Sequence, residues 1–102
     1  MSNKVQVLVR LFETIEQRSK DDPSQSYTAQ LLSDSKEKCI AKLKEESLET
    51  IEAAEKEEIS QIIYESADLI YHLLVLWKKF DLTPDQIYTE LERREGKSGL
   101  RK

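Results

Sequence analysis

Two pairs of carboxylates constrain this chain more than any other feature: Glu46 with Glu49, and Glu65 with Asp68. Residues three apart share a helix face, so each pair predicts a helix carrying two acids on one side. Between the pairs lies a break near Lys56-Glu57-Glu58. If both helices fold back there, Glu49 faces Glu65 and Glu46 faces Asp68. Four acids then converge at one level of a helical hairpin, roughly 12 to 16 Å from its turn at about 1.5 Å per residue. Left alone they repel. A hard divalent cation such as Mg²⁺, which takes carboxylate oxygens together with substrate phosphates, is the simple means of holding them.

The remainder of the chain agrees with helices. Only two glycines and two prolines occur in 102 residues, which argues for an all-α protein rather than a sheet. A content of 38% hydrophobic and 35% charged residues suits one globular domain over 1–102 with a modest core. The net charge of −4 argues against a broad nucleic-acid or anionic-membrane surface. Cys39 stands alone, which excludes an internal disulfide and fits a reducing compartment. The apolar stretch from Val5 to Phe12 soon meets Glu13 and Glu16, so it is neither signal peptide nor membrane span, and a cytoplasmic protein is expected.

About five helices are predicted. Val5, Leu8, Phe12 and Ile15 recur at helical spacing, with Asn3 and Gln6 resembling a capping box, and this helix continues to Gln17. Lys20 to Ser26 reads as a loop, followed by a short helix over Ser26 to Ser33. Asp34 with Glu37 can start a third helix, about Ser35 to Glu55. Ile40, Leu43, Ile51 and Ala54 mark its apolar side; Lys38, Lys42, Glu45 and Glu49 mark the polar side; Glu46 falls on the border, partly desolvated. The fourth helix, about Glu58 to Lys79, is apolar around most of its circumference from Leu69 to Trp77, with only His72 interrupting. It should be central, and five short helices have difficulty covering it, so a homodimer or higher oligomer is expected. Thr83-Pro84-Asp85-Gln86 opens a last helix that stops at Gly96, before a small basic tail from Lys97 to Lys102.

Four acids with nearby lysines make a metal site rather than a nucleophilic one, and no glycine-rich phosphate loop is present. With Mg²⁺ bound, such a cluster suits hydrolysis of a phosphoanhydride. Lys38 and Lys42, one turn apart, can neutralise phosphate charge, and Arg93 and Arg94 can add to this or be solvated surface. Glu45 is a further ligand, a water-orienting base or a lysine partner. His72, one turn from Asp68, reads as an interior histidine supporting the acids rather than as a ligand. Cys39 reads as core, and Tyr71 and Trp77 as packing or oligomer contacts. Charged helix faces are usually solvated, and any one ExxE taken alone carries little; the matched register of two pairs is what raises the metal reading.

These residues resemble the phosphoribosyl-ATP pyrophosphohydrolase family, within the MazG-like all-α nucleotide pyrophosphohydrolases. The shared broad motif is ExxE followed by ExxD, here Glu46/Glu49 and Glu65/Asp68. More specific are Ser26-Tyr27-Thr28-Ala29-Gln30-Leu31, the spacing of Lys38 and Lys42 ahead of Glu45-Glu46, the run Ala67 to Leu76, and Arg93-Arg94-Glu95-Gly96-Lys97-Ser98-Gly99-Leu100. The resemblance implies a MazG-like helical bundle completed by dimerisation, in which Mg²⁺ is held by Glu46, Glu49, Glu65 and Asp68. It also implies catalytic roles among Glu45, Glu46 and Glu49 and substrate contacts from Tyr27, Lys38, Lys42, Arg93 and Arg94. The implied reaction is hydrolysis of 1-(5-phosphoribosyl)-ATP to phosphoribosyl-AMP and pyrophosphate, the second step of histidine biosynthesis, by a stand-alone domain. Lys44 departs from the family's usual glycine and Cys39 from an aliphatic residue. The rival expectations are a house-cleaning nucleoside triphosphate pyrophosphatase of the same superfamily and a non-catalytic helical dimer module.

Overall fold

The computed structural model describes residues 3–96; the basic tail expected from Lys97 to Lys102 lies outside them. The architecture is all-α, with no strand among the described residues. A 3₁₀ turn over Lys4–Gln6 leads into α1 (Val7–Arg18), followed by α2 (Tyr27–Ser33), α3 (Lys36–Glu55), α4 (Ile59–Lys79) and α5 (Pro84–Arg94). None of these helices is long and apolar enough to cross a membrane. α3 and α4 form the antiparallel hairpin that the acidic pairs demand. α1 and α2 pack on α4, so that Leu74 and Val75 close a small core with Phe12, Ile15, Leu31 and Cys39.

Helix starts follow their caps. The Asn3 side chain accepts from the Val5 amide, although the first turn it caps is 3₁₀. Ser26 caps α2 by accepting from the Ala29 amide, and Gln86 Oε1 accepts from the Thr83 amide at 2.9 Å in the capping box of α5. At α3 the cap position belongs to Ser35 and not to Asp34, whose Oδ1 instead accepts from the Ser35 amide.

Helix ends use residues that composition does not advertise. After α3 the Glu57 amide donates to Ala54 O and the Glu58 amide to Ala53 O; after α4 the Asp81 amide donates to Lys78 O and the Leu82 amide to Trp77 O. Both are Schellman closures, which require a left-handed residue, and Glu57 (φ 54°) and Asp81 (φ 58°) fill that place without glycine. The left-handed conformation costs a side-chain-bearing residue roughly 1 kcal/mol, less for aspartate. Glu57→Gly is therefore expected to stabilise the protein by about 0.5–1 kcal/mol in urea unfolding, and Asp81→Gly by less; a lower midpoint in the Glu57 variant contradicts this account.

One expected face is corrected. Ile40, Ile51 and Ala54 do not point into the core: Ile40 is 48% and Ile51 53% exposed, and Ala54 is exposed too. The inward side of α3 carries Cys39, Glu46 and Ala53. Burying the acid rotates the helix so that Ile40, Leu48 and Ile51 face outward. On α4, Ile59, Ile63, Tyr64 and Ile70 are exposed as well. Lys44, roughly 200° around α3 from Glu46, is exposed on the outward side. Cys39 is buried as expected, its thiol 3.6 Å from Leu31 O.

Candidate metal centre and its surroundings

A polar contact that the acids did not reveal joins the two helices at the level of the cluster. Thr50 Oγ1 lies 2.8 Å from Glu46 O on its own helix and 3.3 Å from Glu65 O on the facing one. With that alignment the four acids meet as their spacing requires. Oxygens of Glu46, Glu65 and Asp68 lie within 4.8 Å of one another, and so do those of Glu45, Glu46 and Glu49. Glu46 belongs to both groups and is the centre of the cluster.

Its environment is unfavourable to a bare charge. Glu46 is 6% exposed, and its carboxyl is pushed up to about 7, first by burial and then by Glu49 and the charge of Asp68; Lys42 opposes this. Glu65 is also raised, by desolvation and by the charges of Glu49 and Asp68. Among the described residues, Glu46 Oε2 and Glu65 Oε1 are buried with no hydrogen-bond partner. Buried polar atoms are rarely left so, because each costs on the order of 1–3 kcal/mol. Two orphaned carboxylate oxygens inside an all-oxygen cluster fit a hard cation. Carboxylate oxygens gathered this closely match the all-oxygen ligand preference of a small divalent cation.

Around the acids the other expected residues fall into three groups. Lys42 Nζ pairs with Glu45 Oε2 at 3.2 Å, so Glu45 is a lysine partner here, standing exposed beside the cluster. His72 is 6% exposed, with Nε2 3.7 Å from Glu46 Oε1. Burial first, and then the Lys42 charge, lower its pKa and favour the neutral ring. Tyr27, half exposed at the start of α2, presents its ring edge-on to His72 at 6.2 Å. Lys38 is exposed one turn before Lys42. Arg93 and Arg94 both bind Glu90 on their own helix, at 2.6 and 2.8 Å, and hold that carboxyl down to about 2.

Sequence spacing missed several neighbours. Glu52, Lys56, Glu58 and Gln61 line a cleft of about 270 Å³ that continues from Glu49 and Glu65 towards the hairpin turn. Their place follows from the same antiparallel register, since Glu52 and Gln61 stand one turn closer to the bend. The contact between Thr28 and Tyr71 carries no spacing signal either; their hydroxyls meet at 2.5 Å across 43 residues.

Comparison with known proteins identifies the chain's relatives. Residues 8–95 match the family model described as phosphoribosyl-ATP pyrophosphohydrolase. The chain is 46% identical over 100 residues to the phosphoribosyl-ATP pyrophosphatase of Nitrosomonas eutropha, covering 98% of this chain and 86% of that protein. It is 48% identical over 93 residues to the protein of that name from Parvibaculum lavamentivorans, covering 91% and 85%. The Rhodobacter capsulatus protein of that name is 43% identical over 93 residues, covering 91% and 90%.

Proposed function

The chain belongs to the phosphoribosyl-ATP pyrophosphohydrolase family, and we propose that it hydrolyses 1-(5-phosphoribosyl)-ATP between its α and β phosphates. The products are phosphoribosyl-AMP and pyrophosphate, which places the reaction at the second step of histidine biosynthesis, in the cytoplasm. The observation that carries this reading is the cluster of buried Glu46 with half-buried Glu65 and Asp68, with Glu49 beside it and two orphaned oxygens, inside a chain related to these enzymes over most of its length. The domain is taken as 1–102.

Glu46, Glu49, Glu65 and Asp68 would hold Mg²⁺. When bound, the cation supplies charge neutralisation and Lewis-acid polarisation to the phosphoanhydride. The chain's own residues do the positioning. Lys42, kept at the mouth of the cluster by Glu45, offers a fixed cation to a phosphate oxygen, with Lys38 one turn away. Glu45 is suited to orient water from the solvent side, because it is exposed where Glu46 is not. Buried His72 excludes water behind Glu46, and Tyr27 offers an aromatic surface to the nucleoside. Arg93 and Arg94 are assigned to the substrate with Glu90 as their common support.

A homodimer completes the bundle in this reading. Ile40, Leu48 and Ile51 on α3, with Ile59, Ile63 and Ile70 on α4, leave large apolar side chains open on both helices of the hairpin, and a second copy would cover them. Sedimentation is expected to give twice the chain mass of 11.9 kDa, and Ile51→Glu with Ile63→Glu to give a monomer. A monomeric wild-type protein contradicts it.

The deciding experiment is pyrophosphate release from phosphoribosyl-ATP, compared with ATP and a deoxynucleotide panel, with Mg²⁺ and with EDTA. Mg²⁺-dependent turnover of phosphoribosyl-ATP alone is expected. Preference for free triphosphates would favour a house-cleaning pyrophosphatase. A protein whose melting temperature and activity ignore Mg²⁺ would be the non-catalytic dimer module, because a cation that binds only the folded state raises stability by mass action.

A further inference from the structure

We propose that Thr28 and Tyr71 form a polar pin that registers α2 on α4 and thereby sets Tyr27 beside the acidic cluster. Both would be positioning residues for substrate binding. The inference rests on the assignment of Tyr27 to the substrate.

α2 has seven residues, too few to hold a helix by its own hydrogen bonds, and it buries only Ala29 and Leu31. Its place is therefore set by what ties it down. Leu31 in the core and two polar tethers do so. Thr28 Oγ1 and the Tyr71 hydroxyl meet at 2.5 Å, and Lys79 Nζ donates to Leu32 O at 2.9 Å and to Asp34 O. Tyr71 and Lys79 stand about two turns apart on α4, so the tethers grip both ends of α2 and orient it parallel to α4.

The first tether is the one nearest the site. Tyr71 lies edge-on to His72 at 4.9 Å, and Tyr27, adjacent to Thr28, lies edge-on to the same ring at 6.2 Å. His72 is thus flanked by two tyrosines while its Nε2 faces Glu46 at 3.7 Å. A phenylalanine at position 71 would fill the same space and pack against the same histidine. What the hydroxyl adds is register. A slip of α2 by one turn would carry Tyr27 about 5.4 Å along the hairpin, out of reach of His72.

The test is steady-state kinetics of Tyr71→Phe and Thr28→Val with phosphoribosyl-ATP. Each variant is expected to raise KM about five- to tenfold, the scale of one lost hydrogen bond, with kcat within about twofold of wild type. The rise in melting temperature on adding Mg²⁺ should match wild type, because the acids are untouched. Thr28→Ser, which keeps the hydroxyl, should restore KM. In a Tyr27→Ala background, Tyr71→Phe should add nothing further.

Wild-type KM in both pin variants overturns the proposal and leaves the functional reading intact, as does a loss confined to kcat or accompanied by loss of the Mg²⁺ response. Wild-type KM in Tyr27→Ala removes Tyr27 from the substrate site, and the pin's role with it. Failure of the functional reading has a separate signature: the wild-type protein ignores phosphoribosyl-ATP and hydrolyses another nucleotide, and the same variants are then judged on KM for that nucleotide.

Discussion

Glu49→Ala and Asp68→Ala are each expected to lower kcat by at least about 10³-fold, the scale of several kcal/mol of metal-assisted charge stabilisation. The two residues belong to different halves of the cluster. Glu49 joins Glu45 and Glu46 on α3, whereas Asp68 joins Glu46 and Glu65 across the hairpin. If the halves serve one centre, either truncation disables it. Both side chains are only partly buried, so neither truncation opens a cavity in the core around Leu74 and Val75. Each also removes a negative charge that raises the Glu46 pKa. Helical content should therefore be unchanged and metal-free stability equal or higher, while activity collapses. That opposite movement separates a site residue from a structural one, since a structural residue loses both together. Circular dichroism with Mg²⁺-dependent turnover tests it, and normal turnover in both variants would sink the assignment of the cluster.

The site was more legible in the sequence than its surroundings, for physical reasons. Helix periodicity places i and i+3 on one face, so two acidic pairs either side of a break determine a register without any knowledge of the core. Helix starts were legible for a similar reason: Ser26 and Thr83 with Gln86 act within their own turn. The ends of α3 at Glu55 and of α4 at Lys79 fall where the sequence places them, although Glu57 and Asp81 take up the left-handed role that glycine normally announces. The inward face of α3 was misjudged because hydrophobicity alone does not separate core positions from exposed apolar ones. Ile40, Leu48 and Ile51 are apolar, yet the buried stripe of that helix includes a carboxylate. The pairing of Thr28 with Tyr71 was not legible. Their contact joins residues 43 apart and has no periodic signature, and Tyr71 taken singly reads as packing.

Metal-free protein is expected to lose stability as pH rises from about 5 to 8, and Glu46 is the main reason. Unfolded, this carboxyl titrates near its ordinary 4.5; folded, it titrates at about 7. Between those values the native state holds a proton that the unfolded state has released, so unfolding is favoured as pH increases. The contribution is fully present below about 4.5 and lost through 7. Taken whole, the shift corresponds to at most about 3 kcal/mol, and to roughly 1–2 kcal/mol once solvent screening at the cleft is allowed for. Glu65, also raised, acts in the same direction. Mg²⁺ reverses the slope, because it binds the ionised cluster, and its stabilising effect should grow towards pH 8. Glu46→Gln separates these effects. It keeps the shape of the side chain and has nothing to titrate, so the metal-free variant should equal wild type near pH 5 and exceed it at pH 8, while its response to Mg²⁺ falls. Urea unfolding at the two pH values, with EDTA and then with Mg²⁺, gives the four numbers needed. A metal-free wild type more stable at pH 8 than at pH 5, with Glu46→Gln following it, would mean that Glu46 is ionised in the native fold without a cation, and the orphaned oxygens would then need a different partner.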